Sequence, residues 1–382
     1  MIISIDWLKE FVDIKESSGE LADILSSIGL EAEDLKPFED LEGVVIGKVK
    51  SVDKHPNADR LSVCSVYDGE KDFQVVCGAN NVAKGQTIAY AKVGSVLPGG
   101  FRLEKIKLRG VESSGMICSA KELNISDEHE GIMVLPESCI PGKDFVDEYG
   151  SKFLRIELDI TPNRPDAFSH YGVARDIAVY KNRPLSKIQF NKKKISKMAD
   201  IKISAEDNID CPRYVGGLVT NVSVGPSPEW MQDRLIAAGQ RPINNLVDIS
   251  NFVLLEFGHP THIFDYDKLD NKEIYVRRAK KNESITTLDQ NKYKLNNNQL
   301  LITDGKSPIA LAGIMGGFDS AVDDGTINIF IESAYFNPVA IRKGSKGLSV
   351  STEASKRFER GADPEATIDA FWRVLNLVEE QT

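Results

Sequence analysis

Residues 309–322, I-A-L-A-G-I-M-G-G-F-D-S-A-V, run into I-F-I-E-S-A-Y-F-N-P-V-A-I-R (329–342) and then G-L-S-V-S-T-E-A-S-K-R-F-E-R-G-A-D-P (347–364). An apolar run broken by Gly313, Gly316 and Gly317 lets backbone approach another group with no Cβ in the way. The apolar residues from Thr326 to Ile331 then read as a strand that delivers Glu332 at its end. A carboxylate placed there, beside small residues, can line a pocket that reads a polar group. On composition alone the same stretch is a glycine-rich hairpin with Glu332 facing water.

Working outward, strands outnumber helices. I-K-I-S-A (201–205), Y-V-G-G-L-V-T-N-V (214–222) and I-Y-V-R-R-A (274–279) are strand candidates, and residues 300–304 and 308–315 continue the pattern. P-S-P-E-W-M-Q-D-R-L-I-A-A-G (226–239) reads as a helix with Pro228 near its first turn and Gly239 at its end. Residues 367–380 read as a terminal helix. No regular β-α-β alternation appears, so the fold class is α+β.

Further upstream, V-V-I-G-K-V-K-S-V (44–52) and four more short strand patterns follow at close spacing, divided by Gly, Pro and Asn, which suggests a small barrel over residues 39–151. Residues 1–38 read as a strand, a helix over residues 7–12 capped by Asp6, and a second helix begun by Ser18 or Glu20 and ended by Gly29. That piece is too small to fold alone and needs a partner from later in the chain. Residues 153–180 read as a strand, a Pro-Asn-Pro turn and a helix capped by Asp166 or Ser169. Residues 181–197 carry Lys181, Arg183, Lys187, Lys192, Lys193, Lys194 and Lys197 without an acid. They read as a linker, with grazing contact to nucleic acid as the sharper alternative.

Composition narrows the class. The 382 residues suffice for several cores, and the apolar share of 41% and charged share of 27% are those of a globular chain. A net charge of −10 argues against general coating of nucleic acid, while leaving room for local basic patches. Five scattered cysteines without C-x-x-C spacing speak against a disulfide scaffold or a zinc site, and for a reducing compartment. No signal peptide or membrane span is expected. His55 with Asp59 is read as a turn around Pro56 and Asn57.

The order of motifs says more. R-P-I-N-N-L-V-D-I-S-N-F-V (241–253), G-H-P-T-H-I-F-D (258–265), A-G-I-M-G-G, I-E-S-A-Y-F and S-T-E-A-S-K-R-F-E-R-G together resemble the editing module of the phenylalanyl-tRNA synthetase beta subunit family. H-P-N-A-D-R-L-S-V-C (55–64), V-C-G-A-N-N-V (76–82) and L-R-G-V-E-S-S-G-M-I-C-S-A-K-E-L (108–123) resemble the tRNA-binding OB-fold appendage of several synthetases. M-I-I-S-I-D-W-L-K-E-F-V (1–12) and I-E-L-D-I-T-P-N-R (156–164) resemble the two halves of a small split domain, although Pro165 stands where the family more often has a small residue. The resemblance covers the whole chain but only the N-terminal part of that subunit.

It implies a multidomain α+β architecture: a split α/β domain over residues 1–38 plus 152–195, an inserted OB-fold β-barrel over 39–151, and a B3/B4-type editing domain over 200–382 whose far edge is left open. It also implies hydrolysis of mischarged tyrosyl-tRNA-Phe within a cytoplasmic ligase that charges tRNA-Phe. The partners would be tRNA-Phe and the alpha subunit, in an alpha2beta2 heterotetramer with no membrane. ATP and Mg2+ would serve the complete ligase, with no cofactor or metal in this segment. R-F-E-R (357–360) superficially resembles a class II ATP-gripping motif, but no Gly-rich, Arg-ending partner motif follows, so Arg357 and Arg360 are read as structural or tRNA-facing.

For the editing chemistry, Glu332 would read the tyrosine hydroxyl, with backbone N–H groups beside Gly316 and Gly317. His262 would orient the attacking water or hold the ester; His259 does not inherit that role, because the family usually has an amide there. Arg241 would pair with phosphate or the terminal adenosine. Ser250, Asn251 and Thr352 would be polar contacts, and Ala312, Gly316 and Ala354 would leave room for the ring. No activated nucleophile is visible, which leaves a positioned water. On the inserted domain, Arg102, Lys105, Lys107 and Arg109 lie at near-alternate positions and can track phosphates, with Ser113, Ser114 and Met116 in a contacting loop. The rival readings are a non-catalytic tRNA-binding or assembly module and a free-standing aminoacyl-ester hydrolase.

Overall fold

The computed structural model describes residues 1–126, 131–193 and 200–382. Strands Ile2–Ser4, Arg155–Asp159 and Glu31–Asp34 form one antiparallel sheet with the late strand in the middle, Ile2 opposite Glu157 and Asp34 opposite Ile156. The early segment thus finds its partner beyond residue 150. Caps fall slightly away from their expected positions. Ser4, not Asp6, starts the first helix by accepting from Trp7 N–H at 3.3 Å, and that helix is a single turn, Ile5–Leu8. Ser17 starts the second, Ser18–Ser27, through a reciprocal capping box with Glu20. Ser169 caps the helix His170–Tyr180.

Between these pieces lies a seven-stranded antiparallel sheet. Its main path runs Gly115–Ile117, Thr87–Leu97, Glu42–Lys54, Ser62–Tyr67, Asp72–Cys77. The barrel expectation meets a sheet whose strand pairing stays open. Residues 106–113 fold as their own hairpin, Ile106–Leu108 with Val111–Ser113, turning at Arg109 (φ 49°) and Gly110 (φ 91°). The two ends of the path are tied more sparsely, by Ser114 N–H to Gln74 O at 2.8 Å and by Val76 N–H to Ser113 Oγ at 3.0 Å.

The C-terminal region carries a three-stranded sheet, Arg213–Thr220, Asn328–Tyr335 and Thr261–Asp265, with Asn328–Tyr335 in the centre. Both faces of the central strand are covered. Ile329 and Ile331 join a core with the helices Asn245–Phe257 and Ala366–Gln381, and that core continues into Trp7, Leu8 and Val173 of the N-terminal piece. Phe330 and Ala334 face a second core, shared with a five-stranded sheet that includes Leu300–Thr303 and Pro308–Leu311. Burial on both sides explains the unbroken I-F-I run. It also corrects the expected position of Glu332: the strand continues to Tyr335, so the carboxylate sits inside the sheet rather than at its end.

The basic linker is a strap. Arg183 makes two contacts of 2.8 Å with the Glu16 carboxylate. Lys181 also reaches Glu16, Lys192 reaches Asp369 and Lys193 reaches Glu379. Asn191 and Asn376 exchange hydrogen bonds. Those four cations are engaged within the chain, which fits the linker reading better than its alternative of contact with nucleic acid; Lys194 and Lys197 lie outside the described residues.

Candidate active site in the C-terminal region

Asn244 accepts from Val247 N–H at 3.0 Å and starts the helix Asn245–Phe257; Gly258, at φ 78°, ends it and turns the chain into the strand Thr261–Asp265. This helix–turn–strand unit carries Ser250, Asn251 and His262. Ser250 Oγ donates to Thr261 O at 2.6 Å and so locks helix to strand. In the antiparallel register His262 stands directly opposite Glu332. Opposed residues of a pair project to the same face with Cβ atoms about 4.5–5.5 Å apart.

That face borders a cavity of about 310 Å³. His262 and Glu332 line it together with Ser250, Asn251, Gly316, Thr352 and Ala354; Leu254, Leu288 and Met315 supply apolar wall. Gly316 is required by contact: a Cβ there would lie 2.5 Å from His262 Cε1 and 2.7 Å from Nε2. Thr352 Oγ1 donates to Ile314 O at 2.7 Å and accepts from Ser355 N–H at 3.0 Å, fixing the loop that carries Met315 and Gly316.

The two titratable groups are shifted in opposite directions. Glu332 is buried, and burial pushes its carboxyl up to about 8, against a hydrogen bond from Tyr214 that pulls it down. Burial pushes the His262 imidazole down to about 4. His262 Nε2 is covered and has no hydrogen-bond partner among the described residues. Near neutrality the site therefore holds a neutral imidazole beside a carboxyl that readily keeps its proton. Among the described residues the Asn251 amide makes no side-chain hydrogen bond within the protein, so it is available to a ligand.

Other anticipated residues fall elsewhere. Arg241 is exposed and lines a separate cleft beside Arg155 and Asp233. Ala312 is fully buried in the second core, where its N–H bonds Leu300 O, and does not face the cavity. Gly317 N–H is used by Ile309 O at 2.8 Å, and a Cβ at Gly317 would strike that oxygen at 2.5 Å, so this glycine serves the hairpin and not a ligand. Arg357 is buried, donating to Phe168 O and pairing with Glu353; Arg360 donates to Ile160 O. Both are structural, and Arg357 has no freedom to grip a nucleotide. His259 is buried against Phe358 and outside the cavity lining.

On the inserted sheet, Arg102, Lys107 and Arg109 are exposed, but the expected single stripe is divided between the strand Phe101–Arg102 and the 106–113 hairpin. Lys105 pairs with Glu112 at 2.5 Å. Ser113 is buried, accepting from Val76 N–H and donating to Gly115 O at 3.0 Å, which removes it from any contact loop. Ser114 has both backbone groups engaged and Met116 is half-buried. His55 has both ring nitrogens in turn contacts, to Leu108 O and from Asn57 N–H. Among the described residues no group of three His, Cys, Asp or Glu side chains is disposed to hold a metal, and no helix is long and apolar enough to cross a membrane.

The polar members of the cavity all lie within the span matched by the family model described as B3/4 domain, residues 210–382. A second model, described as putative tRNA binding domain, matches residues 44–144. Over 366 residues the chain is 48% identical to the phenylalanine–tRNA ligase beta subunit of Syntrophotalea carbinolica, covering 95% of this chain and 46% of that one. The chain is similar along its length to the N-terminal half of phenylalanine–tRNA ligase beta subunits. Those of Fusobacterium nucleatum and Geobacillus kaustophilus are each 45% identical across 100% of this chain, which covers 48% and 49% of their lengths. The chain thus corresponds to the N-terminal portion of these relatives and spans about half their length. A solved N-terminal fragment of the phenylalanyl-tRNA synthetase beta-subunit from Pyrococcus horikoshii aligns at 19% identity with a TM-score of 0.30, over 53% of this chain and 61% of that one.

Tyr214, Leu254, Leu288 and Met315 are among the site residues that the sequence did not announce. Tyr214 sits in a strand pattern with no local sign of its partner, since the strand it pairs with begins at Asn328.

Proposed function

We propose that the cavity between His262 and Glu332 hydrolyses the ester of tyrosyl-tRNA-Phe, as the editing site of a phenylalanine–tRNA ligase. One observation carries the reading: a buried carboxyl and an unpartnered imidazole face one apolar cavity from directly opposed positions of two strands. Tyrosine exceeds phenylalanine by one phenolic hydroxyl. A protonated Glu332 donates a hydrogen bond to the phenol oxygen; an ionised one accepts a hydrogen bond from the phenol O–H. A phenylalanyl ring would leave the buried group unpaired, and sites built in this way discriminate by about 10⁴–10⁵-fold at best.

His262 holds the attacking water against the ester carbonyl. With its basicity lowered to about 4, the imidazole stays neutral through the physiological range. It is then a weak base that orients a water more than it deprotonates it. Asn251 offers an amide to the ester or ribose. The Ser250 and Thr352 hydroxyls that line the cavity are spent on the backbone carbonyls of Thr261 and Ile314, so water itself forms the new bond to the carbonyl carbon and the ribose oxygen leaves with a proton.

Around this site the reading assigns residues 1–38 with 152–195 to a split α/β domain, 39–151 to an OB-fold unit that contacts tRNA through Arg102, Lys107 and Arg109, and 200–382 to the editing domain. The working protein would be a cytoplasmic class II ligase that charges tRNA-Phe together with an alpha subunit, in an alpha2beta2 heterotetramer. ATP and Mg2+ belong to that ligation step, and neither is assigned to residues of this chain. The test is release of tyrosine from tyrosyl-tRNA-Phe by the 382-residue chain, with phenylalanyl-tRNA-Phe as control. Selective release is expected. No release supports a non-catalytic assembly module, and equal release from both supports an unselective ester hydrolase.

A further inference from the structure

Glu332 must be held if it is to measure one oxygen atom. Across from it on one side stands His262; across from it on the other stands Gly216. Gly216 has no side chain, and a Cβ there would lie 2.2 Å from Phe330 Cζ, so this rung leaves the carboxyl unsupported. Support comes from one rung along. Tyr214 stands opposite the small Ala334, and its O–H donates to Glu332 Oε2 at 3.0 Å. Among the described residues Oε1 takes no protein hydrogen bond.

We propose that Tyr214 is the positioning residue of this site: its phenol anchors one oxygen of Glu332 and leaves the other for the hydroxyl of the bound substrate. The assignment rests on the reading of Glu332 given above. It deepens that reading, because an unanchored carboxyl could rotate to satisfy itself and would lose its preference for a ligand that brings a hydroxyl. A tyrosine suits the task. The ring is a rigid spacer, and burial holds the Tyr214 phenol well above its ordinary value, which keeps its proton available to donate. The other titratable groups around Glu332 are His262 opposite, Cys211 near the carboxylate and Glu353 on the cavity wall. Among the described residues none of these donates a hydrogen bond to Glu332.

The experiment compares the full chain with Tyr214→Phe, which keeps the ring and removes the donor. On tyrosyl-tRNA-Phe, KM should rise by about tenfold, the worth of one hydrogen bond to a buried carboxyl, with kcat changed less. In the free protein, the carbon-13 titration of the Glu332 side chain should move to higher pH, because the hydrogen bond that favours the carboxylate is gone. A merely structural tyrosine would move the melting temperature and leave the titration in place. An unchanged titration and unchanged KM overturn the proposal. The titration needs no tRNA, so a shifted midpoint without any hydrolysis by the wild type would uphold the Tyr214–Glu332 coupling while overturning the editing reading. Tyr214→Leu, which also loses the ring, should show the same titration shift with a larger fall in stability. A shift in Tyr214→Leu alone would assign the effect to packing and overturn the role of the donor.

Discussion

Ile331 and Glu332 are consecutive residues of one strand and face opposite sides of the sheet. On one side Ile331 and Ile329 pack against the helices Asn245–Phe257 and Ala366–Gln381 with no polar group to satisfy. On the other, Glu332 and His262 hold two titratable groups at the edge of a cavity, one with a single partner among the described residues and one with a nitrogen that has none there. The alternation of a strand builds core and site from the same few residues. A buried carboxyl and a buried imidazole each lower stability, so their presence in an otherwise apolar layer is where the chain departs from the economy of a core.

Breaking the site side should cost most in activity. His262→Ala is expected to lower tyrosyl-tRNA-Phe deacylation by about 10²-fold or more in single-turnover assays, the usual scale for a group that places the attacking water. The melting temperature should be little lowered, because a partnerless nitrogen is removed. Breaking the core side should show the reverse. Ile331→Ala is expected to lose about 2–5 kcal/mol in denaturant unfolding, through lost burial and a residual cavity. Gly316→Ala lies between the two. The added Cβ meets the His262 ring, so overpacking of about 1–3 kcal/mol is expected, together with a fall in deacylation that exceeds the effect on substrate binding.

The two sides of the strand also differ in pH dependence. Glu332 titrates near 8 in the folded chain and near 4.5 unfolded, so between those values the folded state holds the extra proton and stability falls as pH rises. His262 runs the other way: it titrates near 4 folded and 6.5 unfolded, so stability falls as pH drops from 6.5 towards 4. Relative to wild type, Glu332→Gln should flatten the alkaline limb and His262→Asn the acid limb, as read by urea unfolding across pH. An unchanged profile in either variant would show that its group is not buried as described.

The legible part of the sequence was local. Capping residues lay within two positions of where they were expected, the glycines that end helices were visible, and the I-F-I run announced a strand. The motif order brought His262 and Glu332 under suspicion, together with the cavity neighbours Ser250, Asn251, Gly316, Thr352 and Ala354. What stayed hidden depends on pairing across long stretches of chain. Tyr214 gains its meaning only when its strand lies beside Asn328–Tyr335. Arg241 looked like a ligand because it begins a motif, yet its side chain lies at another cleft. Gly317 and Ala312 looked like pocket residues, but one serves backbone approach within a hairpin and the other fills core. The basic residues of the inserted sheet could not be divided into paired and free, because Glu112 and the hairpin turn decide that in three dimensions.

The most direct measurement is calorimetric binding of two non-hydrolysable 3′-aminoacylamino-adenosines, tyrosyl and phenylalanyl, to the wild-type chain and to Glu332→Ala. In the wild type the tyrosyl compound should bind about 10–100-fold more tightly, as one hydrogen bond to a buried carboxyl supplies, and in Glu332→Ala the two affinities should converge. Equal affinities in the wild type, or a preference that survives removal of the carboxyl, would contradict the assignment of this cavity as the reader of the phenol.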